Sequence, residues 1–210
     1  MVIQELKPSK RVAGRFLVCL EDGTILRVGE SEVVNFALYT GKELTDQETE
    51  SLLESVRQGG LKEKALSLLS RKPQSRKELE RKLEQWEANE EETAAICDRM
   101  EELGYLNDES YAALIVRHYG NKGFGEKKLR DELYRRGIPR ELWDRALEET
   151  ADPAPAIDAF LRKKLAGQKP DRKELQKISA ALVRRGFNWS DINDALRRYE
   201  ADLEENDWTD

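Results

Sequence analysis

Side chains that could carry out chemistry are few in this sequence, and they lie apart from one another. The single histidine, His118, has no second histidine three or four positions away, and Cys19 and Cys97 each stand alone in apolar surroundings. Metal sites and disulfide frameworks need such side chains at close spacing. We therefore predict no metal site, no disulfide and no cofactor.

One glycine-rich segment, residues 120–127, faintly resembles a phosphate-binding loop. The Walker pattern requires Lys-Ser or Lys-Thr after its second glycine, and Glu126-Lys127 stands there instead. No serine has the glycine-flanked elbow of a hydrolase nucleophile, and acidic runs such as Glu90–Glu92 suit the first turn of a helix. We interpret the segment as a loop between helices and predict that the protein is not an enzyme.

Charge is distributed unevenly along the 210 residues. The net charge of −6 argues against a generic nucleic-acid binder, although an average can hide local patches. Between Arg117 and Arg140 eight basic residues stand against three acidic ones, and between Phe160 and Arg185 nine stand against two. The acidic excess lies in residues 84–109 and after Asp191. Two basic segments are thus separated from the acidic ones.

Two predicted helices each carry basic residues on the face opposite their apolar stripe. At 100° per residue, Lys173, Lys177 and Arg184 lie within about 40° of one another. The corresponding residues of an earlier helix are Lys127, Lys128 and Arg135. Stacked repeats could align these faces into one strip that follows a phosphate backbone or an acidic protein groove. The competing interpretation is a lysine-rich face that serves only solubility.

The N-terminal part differs from the rest of the chain. Strand-forming residues on both sides of Asp22-Gly23 predict a β-hairpin, to which residues 2–6 could add a third strand. Capping boxes at Thr45-x-x-Glu48 and Ser75-x-x-Glu78 each predict the start of a helix. Gly59-Gly60 predicts a break between helices. The helices predicted further on are 62–71, 90–103, 109–120, 125–136, 140–149, 155–166, 171–185 and 190–204.

An internal repeat of about 50 residues organises the helical part. Adding 49 to the apolar positions between Leu129 and Leu147 reaches apolar residues throughout, and Arg136-Gly137 falls on Arg185-Gly186. A weaker third copy 50 residues earlier has Trp86-Glu87 in place of Arg-Gly. Three helices with one apolar stripe each form a small core together. The glycine of each Arg-Gly pair suits the left-handed position that closes a helix.

These patterns predict a mainly α fold: tandem three-helix repeats in an elongated, curved array, preceded by a small N-terminal β-hairpin and helices. We predict that the tail is disordered after Tyr199. The alternative is that its acidic side chains mimic the negative charge of DNA. The predicted parts are a hairpin and helical extension (1–60), repeats one to three (61–108, 109–151 and 152–204) and an acidic tail (205–210).

Three segments, in this order, resemble the RecX regulators of the RecA recombinase. They are Ala65-Leu66-x-x-Leu69-x-Arg71-x-x-x-Ser75-x-x-Glu78-Leu79-x-x-Lys82-Leu83, Leu103-Gly104-Tyr105-Leu106-Asn107-Asp108-x-x-Tyr111-Ala112 and Lys122-Gly123-x-Gly125-x-x-x-Leu129-x-x-Glu132-Leu133-x-x-Arg136-Gly137-Ile138. These are helix-packing and turn signatures whose specificity lies in their ordered combination. The resemblance extends over roughly residues 65–200.

The resemblance implies three tandem three-helix repeats and binding in the groove of the RecA–single-stranded-DNA filament. It further implies inhibition of strand exchange and of ATP hydrolysis by RecA, in DNA repair, homologous recombination and the SOS response. No catalytic set is implied. The first repeat departs from the family pattern at Trp86-Glu87, so the motif does not carry a DNA contact over to it.

The candidate RecA- or DNA-binding residues are Arg117, Lys122, Lys127, Lys128, Arg135, Lys163, Lys164, Lys173, Lys177 and Arg184. The expected partners are the RecA filament and single-stranded DNA, bound directly or within the filament. Met1 to Lys10 lacks the apolar core of a signal peptide, so we expect a cytoplasmic protein, acting as a monomer without a membrane. The alternatives are a general DNA-binding helical module that acts without RecA and a purely structural scaffold.

Overall fold

The computed structural model describes residues 1–148, Thr150 and residues 152–207, and these form two compact units. The first unit comprises Met1–Lys72 and Glu80–Tyr105. The second comprises Pro73–Leu79 and the chain from Leu106 onward. In the described part, no helix is long and apolar enough to cross a membrane.

A three-stranded antiparallel sheet opens the first unit. Its strands, in the order β1-β2-β3, are Ile3–Pro8, Arg15–Leu20 and Ile25–Gly29. In the connection between β2 and β3, Gly23 adopts a φ of 87° while Asp22 keeps a negative φ, so the hairpin forms without the type I′ turn that Asp-Gly favours. The predicted hairpin and its third strand are both confirmed.

Four helices follow the sheet: α1 (Glu30–Asn35), α2 (Asp46–Arg71), α3 (Arg76–Gln85) and α4 (Glu90–Glu102). The capping box predicted at Thr45 is present, since its hydroxyl accepts from the Glu48 N–H and the carboxylate accepts from the Thr45 N–H. The first turn of α3 belongs to the second unit and the remainder to the first.

The break predicted at Gly59-Gly60 is wrong, because α2 runs through both glycines as one helix of 26 residues. Each glycine costs a helix about 1 kcal/mol relative to alanine. Buried side chains on both sides of the pair, including Leu52 and Leu61, outweigh that cost. The predicted boundary between residues 60 and 61 consequently falls inside a helix.

The second unit is helical apart from its loops. Its helices are α5 (Asp108–Asn121), α6 (Glu126–Arg135), α7 (Trp143–Glu148, after a 3-10 turn at Arg140–Leu142), α8 (Ala154–Leu165), α9 (Arg172–Arg184) and α10 (Trp189–Asp207). The predicted helices are confirmed to within three residues at each described end, while the predicted ends at Glu149 and Ala151 lie outside the described residues.

The acidic tail is the second correction to the sequence analysis. The sequence predicts both a helix over 190–204 and disorder after Tyr199, and the disorder prediction is wrong, because α10 continues to Asp207. Buried Tyr199 donates its hydroxyl hydrogen to the Gln168 carbonyl at 3.2 Å, and Leu203 packs against the neighbouring apolar cluster. These two anchors explain why the helix extends. The last three residues of the predicted tail, 208–210, lie outside the described residues.

Separate apolar clusters stabilise the elements. One lies between the sheet and α2 and includes Ile3, Val18 and Leu52. The helices α5, α6 and α7 enclose a second cluster around fully buried Leu129 and Leu133. A third cluster fills the space between α8, α9 and α10. The small size of each cluster accounts for a hydrophobic content of only 39%.

The middle helix of every repeat ends in the same type of turn. The second residue after the helix adopts a left-handed conformation, and the backbone N–H of the residue that follows it donates to the carbonyl five positions earlier, as in a Schellman motif. The predicted role of glycine in the Arg-Gly pairs is thereby confirmed. The three left-handed residues are Glu87 (φ 64°), Gly137 (φ 70°) and Gly186 (φ 89°).

Glu87 is the costly member of this set, because a left-handed conformation strains a side chain with a Cβ by about 1–2 kcal/mol. We expect Glu87→Gly to raise the free energy of unfolding by about 1 kcal/mol, measured by urea denaturation. As the control, Arg81→Gly in the exposed interior of α3 should lower it by about the same amount. Destabilisation by Glu87→Gly would contradict this explanation.

Candidate functional site

The structure exposes nine of the ten candidate cations, and only Lys128 is half-buried. On α9, Lys173, Lys177 and Arg184 share one exposed face opposite the buried side chains of Ile178 and Leu182. Among the described residues none of these three cations forms an ion pair. This face therefore presents three uncompensated positive charges to a partner.

The cationic face of α6 is partly neutralised by Glu132, a motif residue to which the sequence assigns no role in charge. Glu132 is only 5% exposed and lies between two of the candidates. Its carboxylate meets the Lys128 ammonium at 3.4 Å and the Arg135 guanidinium at 2.5 Å. Lys127, in the first turn, has no ion pair among the described residues. Lys128 and Arg135 thus hold a buried carboxylate, and Lys127 is the free cation of this face.

Burial by itself would raise the pKa of Glu132, but the hydrogen bond and charge of Arg135 outweigh it, and the pKa is lowered from 4.5. A lowered pKa means that the carboxylate stabilises the fold above its unfolded pKa, and that this contribution is lost as the pH falls through the folded value.

We expect Glu132→Gln to lower the free energy of unfolding at pH 7 by about 1–3 kcal/mol, the range for hydrogen bonds to charged groups. The difference from wild type should shrink as the pH falls below 4.5, in urea titrations at each pH. Asp131→Asn, at the exposed neighbouring position, is the matched control and should change little. A difference that is independent of pH would contradict the ionic role.

The remaining candidates lie on other elements of the second unit. Lys122 follows α5 and places its ammonium 5.6 Å from the Tyr119 ring centre. Lys163 and Lys164 lie in the last turn of α8, where positive charge also suits the helix dipole. Arg117 is exposed on α5. The structure does not bring these four into the faces of α6 and α9 by any described contact.

A backbone junction joins the start of α6 to the end of α9. The Gly125 N–H donates to the Arg185 carbonyl at 2.9 Å, and the Lys127 N–H donates to the Gly186 carbonyl at 3.1 Å. A Cβ on Gly125 would lie 2.4 Å from the Gly186 oxygen, so both glycines are needed for this approach. The junction places Lys127 beside the turn that follows Arg184.

The start of α3 is joined to the end of α6 in a similar way. The Ser75 hydroxyl donates to the Arg136 carbonyl, and a Cβ on Gly137 would lie 2.5 Å from the Cβ of Lys77. Ser75 is fully buried, and its predicted capping box with Glu78 is present. The same type of junction therefore occurs twice. In each case the start of one middle helix contacts the turn that follows the middle helix of the next repeat.

The arginines of the two Arg-Gly pairs stabilise these junctions, a role that the predictions from sequence do not include. Arg136 donates to the Tyr111 hydroxyl and lies 3.4 Å from the Glu78 carboxylate. Arg185 lies over the rings of Phe124 and Phe160, at 5.6 and 5.0 Å. An arginine precedes the glycine in both repeats, and this repetition is the sequence signal that could have indicated a packing role.

Comparison with known proteins agrees with this architecture. Family models described as the first, second and third three-helix domains of RecX match residues 62–100, 107–147 and 156–196. The Regulatory protein RecX of Pseudomonas entomophila is 34% identical over 134 residues, which cover 63% of this chain and 86% of the relative. The chain belongs to the RecX family. The resemblance predicted from the ordered motifs is confirmed.

Other RecX proteins match over more of the chain. The Regulatory protein RecX of Levilactobacillus brevis is 32% identical over 195 residues, which cover 89% of this chain and 72% of the relative. A crystal structure of regulatory protein RecX has a TM-score of 0.71 and 25% identity, covering 92% of this chain and 98% of that one. Both matches cover more of this chain than the three family models do.

Proposed function

We propose that this RecX-family protein regulates the RecA recombinase by binding the RecA–single-stranded-DNA filament. The observation that carries the proposal is the exposed cationic face of α9, to which α6 adds Lys127 beside the turn after Arg184. A phosphate backbone, or an acidic protein surface, is the complementary partner for such a surface. The relatives are named as regulatory proteins, which supports a role without catalysis.

Two physical properties of this surface would let the protein regulate RecA by occupying the filament groove. Lys173, Lys177 and Arg184 can replace counterions along a phosphate backbone, and the repeated units let several weak contacts add up. A protein held in the filament groove would obstruct filament extension and reduce ATP hydrolysis and strand exchange by RecA. We further propose that it does so as a monomer in the cytoplasm, in DNA repair, recombination and the SOS response.

A second candidate function is general DNA binding without RecA. The unpaired charges of the α9 face favour it, because they would attract any nucleic acid. It predicts salt-dependent binding to DNA alone and no specific effect on RecA. A structural scaffold, the third reading of the sequence, predicts neither effect.

The test is the ATPase rate of RecA on single-stranded DNA, measured while the protein is titrated below the RecA concentration. The proposal predicts a dose-dependent loss of ATP hydrolysis at these substoichiometric amounts, together with a loss of strand exchange. An unchanged rate at every salt concentration would overturn it. Titration of a protein of similar charge but unrelated fold controls for competition for DNA.

A further inference from the structure

A cleft of about 850 Å³ lies in the first unit, far in sequence from the cationic faces described above. Strands β2 and β3 supply one side and α2 supplies the other. Residues of α2 from Ser55 to Arg71 line it, which corresponds to a length of roughly 24 Å at 1.5 Å per residue. The cleft is therefore long enough for an extended ligand.

Positive charge predominates along this cleft. Arg27, Lys62 and Arg71 line it, are exposed, and have no ion pair among the described residues. The lining also holds Arg15, which is paired with the carboxylate of Glu63. The cleft thus keeps three free cations along its length, and an anionic ligand fits it.

The lining stays positive overall, because five basic residues stand against two acidic ones, Glu63 and Glu32. The Glu32 carboxylate accepts hydrogen bonds from the Gly29 N–H at 2.9 Å and from the hydroxyls of Ser31 and Ser55 at 3.0 and 3.2 Å. Among the described residues, no ion pair joins Glu32 to Arg27, Lys62 or Arg71. The role of Glu32 is to close the N-terminus of α1.

Gly59 and Gly60 line the cleft from the middle of α2, and packing does not require either of them. A Cβ on Gly60 would meet nothing within 4 Å, and a Cβ on Gly59 would approach only the Glu32 carboxylate, at 3.9 Å. Two such glycines cost a helix about 2 kcal/mol. What they provide is bare backbone in the cleft, where a ligand can approach the helix closely.

An aromatic side chain completes the lining. Trp86 is half-buried, and the ammonium of Lys64 lies 5.5 Å from its ring centre. It occupies the position that arginine holds in the other two repeats, so the repeat pattern itself singles it out. Trp86 also borders the adjoining cleft around Leu61, which leaves part of the ring accessible. An accessible indole among cations is a stacking surface for a nucleic-acid base.

We propose that this cleft of the first unit binds single-stranded nucleic acid, with a base stacked on Trp86 and phosphates along Arg27, Lys62 and Arg71. Single strands offer unstacked bases and phosphates together, whereas the bases of a duplex are already stacked on each other. An acidic peptide would match the cations but would leave the aromatic surface and the open glycine backbone unused. The site requires no RecA.

The test is fluorescence anisotropy of labelled oligo(dT) with the full chain, in the absence of RecA. We expect Trp86→Ala to weaken binding roughly 5- to 150-fold and Trp86→Phe to retain most of it, since stacking on one aromatic side chain has that magnitude. Arg27→Glu/Arg71→Glu should weaken binding at least about tenfold and reduce its salt dependence. The matched control, Arg81→Glu/Lys82→Glu, changes two exposed cations of the same unit outside the cleft.

Gly60→Leu separates binding from folding. Leucine is a better helix former than glycine and meets open space here, so the variant should unfold at higher urea concentration while it binds oligo(dT) more weakly. Equal weakening by the control pair, or unchanged binding in Trp86→Ala and Gly60→Leu, would overturn the proposal. Since RecA is absent from this assay, failure here and failure in the RecA ATPase assay are separate outcomes.

Discussion

Replacing Gly186 by alanine is expected to lower the free energy of unfolding by about 2–4 kcal/mol. Two costs combine at this position. The left-handed conformation (φ 89°) strains any residue with a Cβ by about 1–2 kcal/mol. The added Cβ would also lie 2.3 Å from the Lys128 nitrogen and 2.9 Å from the Gly125 carbonyl oxygen. Both contacts are with backbone atoms, so the junction between α6 and α9 must open.

Gly167→Ala is the matched control for this prediction. Gly167 belongs to the same unit and has a similar φ of 80°, but a Cβ there would meet nothing within 4 Å. It should therefore cost only the conformational strain, about 1–2 kcal/mol. Urea denaturation followed by circular dichroism measures both variants. Equal losses in the two would show that the close approach at the junction contributes nothing to stability.

The second large effect concerns the cationic face of α9. We expect Lys173→Glu/Lys177→Glu/Arg184→Glu to raise the concentration needed for half-maximal inhibition of the RecA ATPase by about 10- to 100-fold. The three side chains are exposed, so the variant should fold normally, which circular dichroism can verify. The reversed charges would repel the phosphates that the wild-type side chains attract.

Net charge alone must be excluded as the cause of that loss. The control variant, Arg140→Glu/Lys169→Glu/Arg197→Glu, carries the same change in charge at exposed positions of the same unit, none of which lies on α9. It should inhibit RecA within a few-fold of wild type. If both triple variants lose inhibition equally, the effect belongs to overall charge, and the α9 face has no special role.

Much of the fold could be predicted because its signals are local. The hairpin at Asp22-Gly23, the capping boxes at Thr45 and Ser75 and the left-handed Gly137 and Gly186 depend on a few neighbouring residues, and all are confirmed. Local signals failed where distant packing decides the outcome. The helix α2 passes through two glycines because side chains before and after them are buried.

The candidate surface shows the same limit. Helical geometry placed Lys173, Lys177 and Arg184 on one exposed face, which the structure also shows. The same reasoning treated Lys128 and Arg135 as free, although buried Glu132 holds both. The spacing of charges along a helix cannot show which carboxylate is buried, since burial depends on the neighbouring helices. In other repeats, an acidic residue on the inward side of a helix would indicate that a buried carboxylate pairs with neighbouring cations.

The central claim is that the RecA–DNA filament, and not DNA alone, is the target of the α6 and α9 faces. The most direct measurement compares the dissociation constants of the wild-type protein for labelled single-stranded DNA alone and for the same DNA covered by RecA with a slowly hydrolysed ATP analogue. We predict at least about tenfold tighter binding to the filament, and loss of that preference in Lys173→Glu/Lys177→Glu/Arg184→Glu. An equal ratio of the two dissociation constants in the wild-type protein and in this triple variant would contradict the account.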